Sequence, residues 1–201
     1  MSLFVVMVCV GGFGFDARDS SGPVLFDRSV DAFLTRASGL EHQVAVLLSD
    51  FGDPAVFLTI TAVAVGGLVL LRDYRAAGAT LGSVGFALLL VEGVLKPFFS
   101  RHLGDSHGAT FPSGHTTVAV ALATAITLAT RGNRPLGRLL GRILRDLLMS
   151  AAVTCALGIG VAMVALRFHY MTDVVAGLPL GVTVTGSLAV LLDVLAGRPA
   201  R

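Results

Sequence analysis

Five stretches of the chain contain no Asp, Glu, Lys or Arg: residues 54–71, 76–91, 113–130, 147–166 and 174–192. Each is near the roughly 20 residues that an α-helix, rising about 1.5 Å per residue, needs to cross a hydrocarbon core of about 30 Å. Residues 3–15 are charge-free too and make a shorter span; no Lys or Arg precedes them as the positive region of a signal peptide would require. The runs predict an all-α integral membrane protein, a bundle of about six transmembrane helices in one domain covering 1–201. Within it, 1–15 is the first span, 16–53 an outer interfacial segment, 54–192 a core of five spans and 193–201 a cytoplasmic tail.

The interfacial reading of 16–53 rests on spacing. Phe26, Val30, Phe33, Leu34 and Ala37, then Leu40, Val44, Leu47, Leu48 and Phe51 after a break at Gly39, are the apolar faces of helices lying along a membrane surface. Composition agrees: 54% of the 201 residues are hydrophobic, more than a soluble domain of this size can bury. Basic residues follow the second, fourth and sixth spans: Arg72 and Arg75, then Arg131, Arg134, Arg138, Arg142 and Arg145, then Arg198 and Arg201. The positive-inside rule places those segments in the cytoplasm. The alternate connectors, 16–53, 96–112 and 167–173, hold nine acidic and six basic residues and belong outside. Basic residues gathered on one polar face, as nucleic-acid binding requires, are absent. Cys9 and Cys155 lie inside apolar runs, which argues against a disulfide or a zinc site. The 14 Arg against one Lys match a GC-rich bacterial genome, so the expected location is a bacterial plasma membrane.

Every chemically suggestive residue falls on the outer side, in three clusters. The first, Lys96 to His107, offers Lys96, Arg101, His102, Asp105 and His107, with Glu92 four residues before Lys96 and able to pair with it. The second is Phe111-Pro112-Ser113-Gly114-His115-Thr116-Thr117. Proline there ends what precedes, and serine is among the best N-caps, so a helix starts at Ser113 with its unpaired N–H groups and positive dipole end beside an imidazole, an anion site. The third is Arg167-Phe168-His169-Tyr170-Met171-Thr172-Asp173. Spaced four apart, His169 and Asp173 share a helix face; the carboxylate can hold one ring nitrogen and leave the other as a fixed, basic electron pair. Cations, a capped helix start and two histidines, one backed by a carboxylate, are what phosphoryl transfer needs, since its transition state spreads negative charge over the equatorial oxygens.

In this order, Lys96, then Pro112-Ser113-Gly114-His115, then His169-x-x-x-Asp173, the chain resembles the type-2 phosphatidic acid phosphatase family of membrane lipid phosphatases, related by active site to vanadium haloperoxidases. The match covers about residues 54–192. The resemblance implies that His169 attacks phosphorus to give a phosphohistidine, that Asp173 orients it, and that His115 protonates the departing oxygen. Lys96, Ser113 and the Gly114 backbone would hold the phosphate, with no metal and no cofactor. Two positions depart from the family pattern. Where an Arg-Pro pair usually follows the Lys by seven residues stand Leu103 and Gly104, and where an Arg usually precedes the His by six stands Met163. A phosphate site lacking both cations would be poor, so Arg101 and Arg167 are expected to supply the clamp from shifted positions.

Two other classes compete. A metal-dependent hydrolase could use His102, His107, His115 and His169, but their spacings form no strong ligand pattern, and only Asp105 and Asp173 are nearby carboxylates. A transporter or scaffold would carry ionisable groups within its spans, whereas here they cluster at one interface. The reading is a membrane lipid phosphatase facing the outer side, acting on a lipid whose phosphate lies at the interface. Candidate substrates by resemblance are polyprenyl pyrophosphates, phosphatidylglycerophosphate, phosphatidate and a polyprenyl-phosphoryl sugar phosphate.

Overall fold

The computed structural model describes residues 3–18, 22–36, 38–103, 108–131 and 135–197; Ala37, Gly104, Asp105, His107, Arg134, Arg198 and Arg201 of the sequence reading lie outside them. Helix α1 occupies residues 3–17, its middle Met7–Gly12 wound as a π-helix. Two helices, α2 (Leu25–Leu34) and α3 (Leu40–Phe51), flank the break at Gly39, whose φ of +56° suits glycine. Then come α4 (Pro54–Leu70), α5 (Tyr74–Phe99, with a π turn at Val91–Leu95) and α6 (Gly114–Thr130). The chain ends with α7 (Pro135–Leu139), α8 (Arg142–Ala165) and α9 (Met171–Leu195). Among the described residues there is no strand, only a lone bridge between His102 and Ala109.

Short polar residues start the long helices. Asp53 accepts from the Ala55 amide at 2.8 Å ahead of Pro54, and Asp73 accepts from Ala76 at 3.1 Å. Each satisfies one of the orphan N–H groups of a first turn.

Helix α6 is the axis of the bundle. Small residues let it be buried almost all round, Ala119, Ala121, Ala123, Ala125 and Ala129 among them, with α5, α8 and α9 packed about it. The closest approach is to α9, where Gly177 and Gly181 press on the α6 backbone. A Cβ at 181 would stand 2.5 Å from the Thr117 carbonyl oxygen and 2.9 Å from the Ala121 amide, and one at 177 would stand 3.0 Å from the Ser113 carbonyl oxygen. This small-x-x-x-small spacing lets two helices pack backbone to backbone in lipid. Thr185 adds a hydrogen bond to the Ala121 carbonyl at 3.1 Å.

Among the described residues, three helices, α5, α8 and α9, are long and apolar enough to cross a membrane by length and composition, and α3 with α4 adds a fourth if that bent pair is one span. The expected number of six is not confirmed by this count. Helix α6, at 17 residues, reaches only about 26 Å. It is lined by other helices rather than by lipid. The first span, 3–17, is shorter still.

The far end of the bundle is tied by an ion pair between Arg75 and Asp193, joining the start of α5 to the end of α9. At the opposite end, α2 lies across the start of α9. Asp31 Oδ1 accepts from the Met171 amide at 3.1 Å and Asp27 Oδ1 from the Thr172 amide at 2.8 Å, so carboxylates from another element cap this helix. The other oxygen of Asp31 is buried without a hydrogen-bond partner. Desolvation raises the Asp31 pKa to about 6; the Met171 amide opposes this, and the charges of Asp27 and Asp173 add to it.

Two consequences can be measured in purified, detergent-solubilised protein. Gly181→Ala should lower stability by about 1–3 kcal/mol, because the new methyl meets backbone that cannot move aside. Gly186→Ala, on the same helix but with nothing within 4 Å of the added carbon, should not; equal losses at both positions would refute the packing argument. The second concerns Asp31, whose folded pKa of about 6 lies above its ordinary 3.8. The folded state binds this proton more tightly, so the favourable contribution is full below about pH 4 and is lost as pH rises through 6. Asp31→Asn should therefore raise Tm above wild type at about pH 7.5 and leave it close to wild type at about pH 4. Parallel melting curves at both values would contradict the assignment.

Candidate active site

The Pro-Ser-Gly-His stretch is held from both sides. Phe111 is fully buried and packs edge-on against Phe99, at 5.0 Å between ring centroids, which anchors the loop arriving from α5. Ser113 caps α6 as expected, its Oγ accepting from the Thr116 amide at 3.4 Å and from the Thr116 hydroxyl at 3.1 Å. Its own amide donates to the Asp173 carbonyl at 3.0 Å. That bond sets the starts of α6 and α9 side by side. The Ser113 side chain has no exposed surface, so its first service is to the helix.

Beyond the cap, His115 is partly buried and its ring centroid lies 6.2 Å from that of His169, with the planes 66° apart. Gly52, between α3 and α4, closes this side: a Cβ there would stand 2.9 Å from His115 Cδ2. At Gly114 a Cβ would stand 2.6 Å from Glu92 Oε1, which accepts from Lys96 Nζ at 2.7 Å. The end of α5, through its π turn, thus delivers Glu92 and Lys96 together to the start of α6. A cleft of about 410 Å³ opens beside them, lined also by Pro97, Ser100 and His102.

His169 is reached through a tight turn after α8. The amides of Phe168 and His169 both donate to the Met163 carbonyl, at 2.8 and 3.2 Å, and Arg167 takes a left-handed φ of +61°. This buries the imidazole to 7% exposure and places Nδ1 3.4 Å from Asp173 Oδ2. The separation is ion-pair distance rather than a formed hydrogen bond, and catalytic contacts commonly tighten only around substrate. Asp173 is held at both oxygens: Oδ2 accepts from the Tyr170 amide at 3.0 Å and Oδ1 from Arg101 Nη1 at 2.6 Å.

The structure corrects the expectation for Arg101. This side chain has no exposed surface, and its two terminal nitrogens point at carboxylates, Nη1 at Asp173 and Nη2 at Asp27, each at 2.6 Å. Thr172 Oγ1 accepts from Nη1 at 2.6 Å, and the guanidinium lies over the Tyr170 ring, 4.2 Å from its centroid. An arginine so enclosed is not free to take a phosphate. Arg167, in contrast, is exposed, and the backbone turn directs it away from the interior. Met163, at the position where the family pattern has an arginine, is 1% exposed and fills the core.

Asp27 and Gly52 were not singled out from the sequence, whereas the Glu92–Lys96 pair expected from a spacing of four is formed. Asp27 stands four residues before Asp31 on an amphipathic helix, a spacing that marks a shared face but not the partner waiting across it. Among the described residues no three His, Cys, Asp or Glu are grouped as a metal site. His102 pairs with Ala109 through the backbone, while Asp105 and His107 lie outside the described residues.

Comparison with known proteins bears on this geometry. Lipid A 1-phosphatase of Rhizobium etli is 27% identical over 79% of this chain and 73% of its own. Lipid A 1-phosphatase of Rhizobium johnstonii is likewise 27% identical, over 79% and 70%. The crystal structure of a transmembrane PAP2-type phosphatidylglycerolphosphate phosphatase from Bacillus subtilis has the same fold, with a TM-score of 0.69, 17% identity and coverage of 96% of this chain and 93% of that one. The sequence model of the PAP2 superfamily matches residues 74–194, from the start of α5 to the end of α9, and includes all three clusters described above. The chain belongs to the PAP2 superfamily.

Proposed function

We propose that this protein is a lipid phosphatase that hydrolyses a phosphomonoester or pyrophosphate at the membrane surface through a phosphohistidine. The observation that carries the reading is the placement of His169, backed by Asp173, beside His115 at two helix starts joined by the Ser113–Asp173 bond. Relatives that act on phosphorylated lipids support the class of substrate.

In this reading the free nitrogen of His169 attacks phosphorus while the bond to the lipid oxygen breaks. His115 gives that oxygen a proton. A water then attacks the phosphohistidine, His115 takes a proton from it, and inorganic phosphate leaves with His169 restored. The negative charge of each transition state is met by the first-turn amides of α6 at Gly114 and His115, by Lys96 once it is drawn from Glu92, and by Arg167 at the rim. The site faces the outer side of a bacterial plasma membrane, as the arginine distribution at the opposite end of the spans supports.

His169→Ala should reduce phosphate release to background and Asp173→Asn should lower kcat by about 100- to 10,000-fold, the range associated with a positioned acid or base. Wild-type release from purified His169→Ala would sink the mechanism. Arg167→Ala should raise KM about 10- to 100-fold, the value of one charge-assisted contact to phosphate; an unchanged KM would remove Arg167 from the site. A release assay in the presence of EDTA, run over lipid A 1-phosphate, phosphatidylglycerophosphate, phosphatidate, a polyprenyl pyrophosphate and a polyprenyl-phosphoryl sugar phosphate, identifies the substrate. Loss of all release on chelation would favour a metal-dependent hydrolase instead.

A further inference from the structure

We infer that Asp27, on the interfacial helix α2, is a positioning residue for the reaction: it keeps Arg101 to one oxygen of Asp173, so that the other stays available to His169. The inference rests on the reading of His169 and Asp173 given above.

The argument begins with the geometry a guanidinium prefers. Its planar fork binds a carboxylate best with two parallel N–H···O bonds, one to each oxygen. Arg101 does not do this to either partner. Nη1 goes to Asp173 Oδ1 and Nη2 to Asp27 Oδ2, both at 2.6 Å, so the two carboxylates divide the fork. Asp173 Oδ2 is thereby left to the Tyr170 amide and to the His169 ring, 3.4 Å away.

Asp27 is fixed well enough to impose that division. Its Oδ1 accepts from the Thr172 amide at 2.8 Å. Its Oδ2 accepts from the Thr172 hydroxyl at 3.0 Å and from the Val24 amide at 3.1 Å, besides Arg101. Asp27, Arg101, Thr172 and Asp173 all have no exposed surface, so water cannot substitute for a missing member. Every contact at Oδ2 comes from a donor, which an asparagine amide nitrogen in that place would oppose. Deprived of the carboxylate, Arg101 Nη2 would be buried without its counter-charge. The nearest remedy is for the fork to turn and take both oxygens of Asp173. His169 would then lose the group that orients it, although no atom of Asp27 approaches the phosphate.

Kinetics separate this role from phosphate binding and from simple loss of fold. The assay uses the full-length protein, the panel lipid that wild type hydrolyses fastest, and inorganic phosphate as competing inhibitor. Asp27→Asn should lower kcat about 10- to 100-fold, the scale on which the outer partner of an oriented histidine acts. KM and the inhibition constant of phosphate should stay within about twofold of wild type, since only the ground-state phosphate contacts set them. In the Asp173→Asn background the same change should cost nothing further, because the group it acts through is already gone. Wild-type kcat, a rise in KM, or a loss that multiplies with that of Asp173→Asn would each overturn the inference. If Asp27→Asn does not purify as a folded protein, Thr172→Val decides. It removes only the hydroxyl linking Asp27 and Arg101, and it should lower kcat at unchanged KM; wild-type kcat there overturns the inference as well. His169→Ala is assayed in parallel. Turnover in that variant overturns the mechanism itself, whereas its loss together with wild-type kcat in Asp27→Asn overturns only the role of Asp27.

Discussion

A positive charge buried between two negative ones governs the outer end of this molecule. Moving such groups out of water costs several kcal/mol each, and the cost is offset only when every donor and acceptor finds a partner. Here most of those partners come from the start of one helix, although Arg101 Nε and Asp31 Oδ2 are buried without one. Three carboxylates converge on the first turn of α9: Asp173 takes the Tyr170 amide, Asp31 the Met171 amide and Asp27 the Thr172 amide. The dipole end of α9 and Arg101 together answer those negative charges. The helix that carries Asp173, just after His169, therefore starts where it does because elements distant in sequence, α2 and the loop after α5, supply its cap and its counter-ion. Lose Asp27, Arg101 or Asp173, and the others become unpaired charges in a place water cannot reach.

What could be read beforehand divides along physical lines. Helix α6 and its serine cap follow from Pro112, Ser113 and an apolar run, all local; His169 and Asp173 do come together, but through the turn before α9 rather than on the shared helix face that their spacing suggested. Arg101 shows the opposite case. Its position near two family landmarks argued for a phosphate contact, but its real partners stand 72 and 74 residues away, and no local spacing encodes them. The number of spans is likewise not set by local signals alone. Charge-free length reports only that a segment avoids water, and α6 does so by being wrapped in other helices. The glycines at 177 and 181 carried a legible packing signal that the apolar runs overshadowed.

Membership of the PAP2 superfamily makes the two displaced arginines informative rather than awkward. Met163 is not an arginine in disguise: it is buried, and its backbone carbonyl holds the turn that aims His169. In the proposed mechanism the remaining cations are Lys96, now paired with Glu92, and Arg167 at the exposed rim. A phosphate entering such a site would share or take that lysine from its carboxylate, which a charged group can do and a neutral headgroup cannot. Selectivity for a phosphorylated terminus would then begin at the doorway, before any bond is broken.

The close approach of Gly52 to His115 shows how tightly the corner between α3 and α4 is fitted to the site. Gly52 sits at the bend where α3, amphipathic and largely exposed, turns into the apolar α4. A side chain at 52 would press on that ring, so glycine at this bend is what lets the α3–α4 corner and the His115 imidazole occupy neighbouring space.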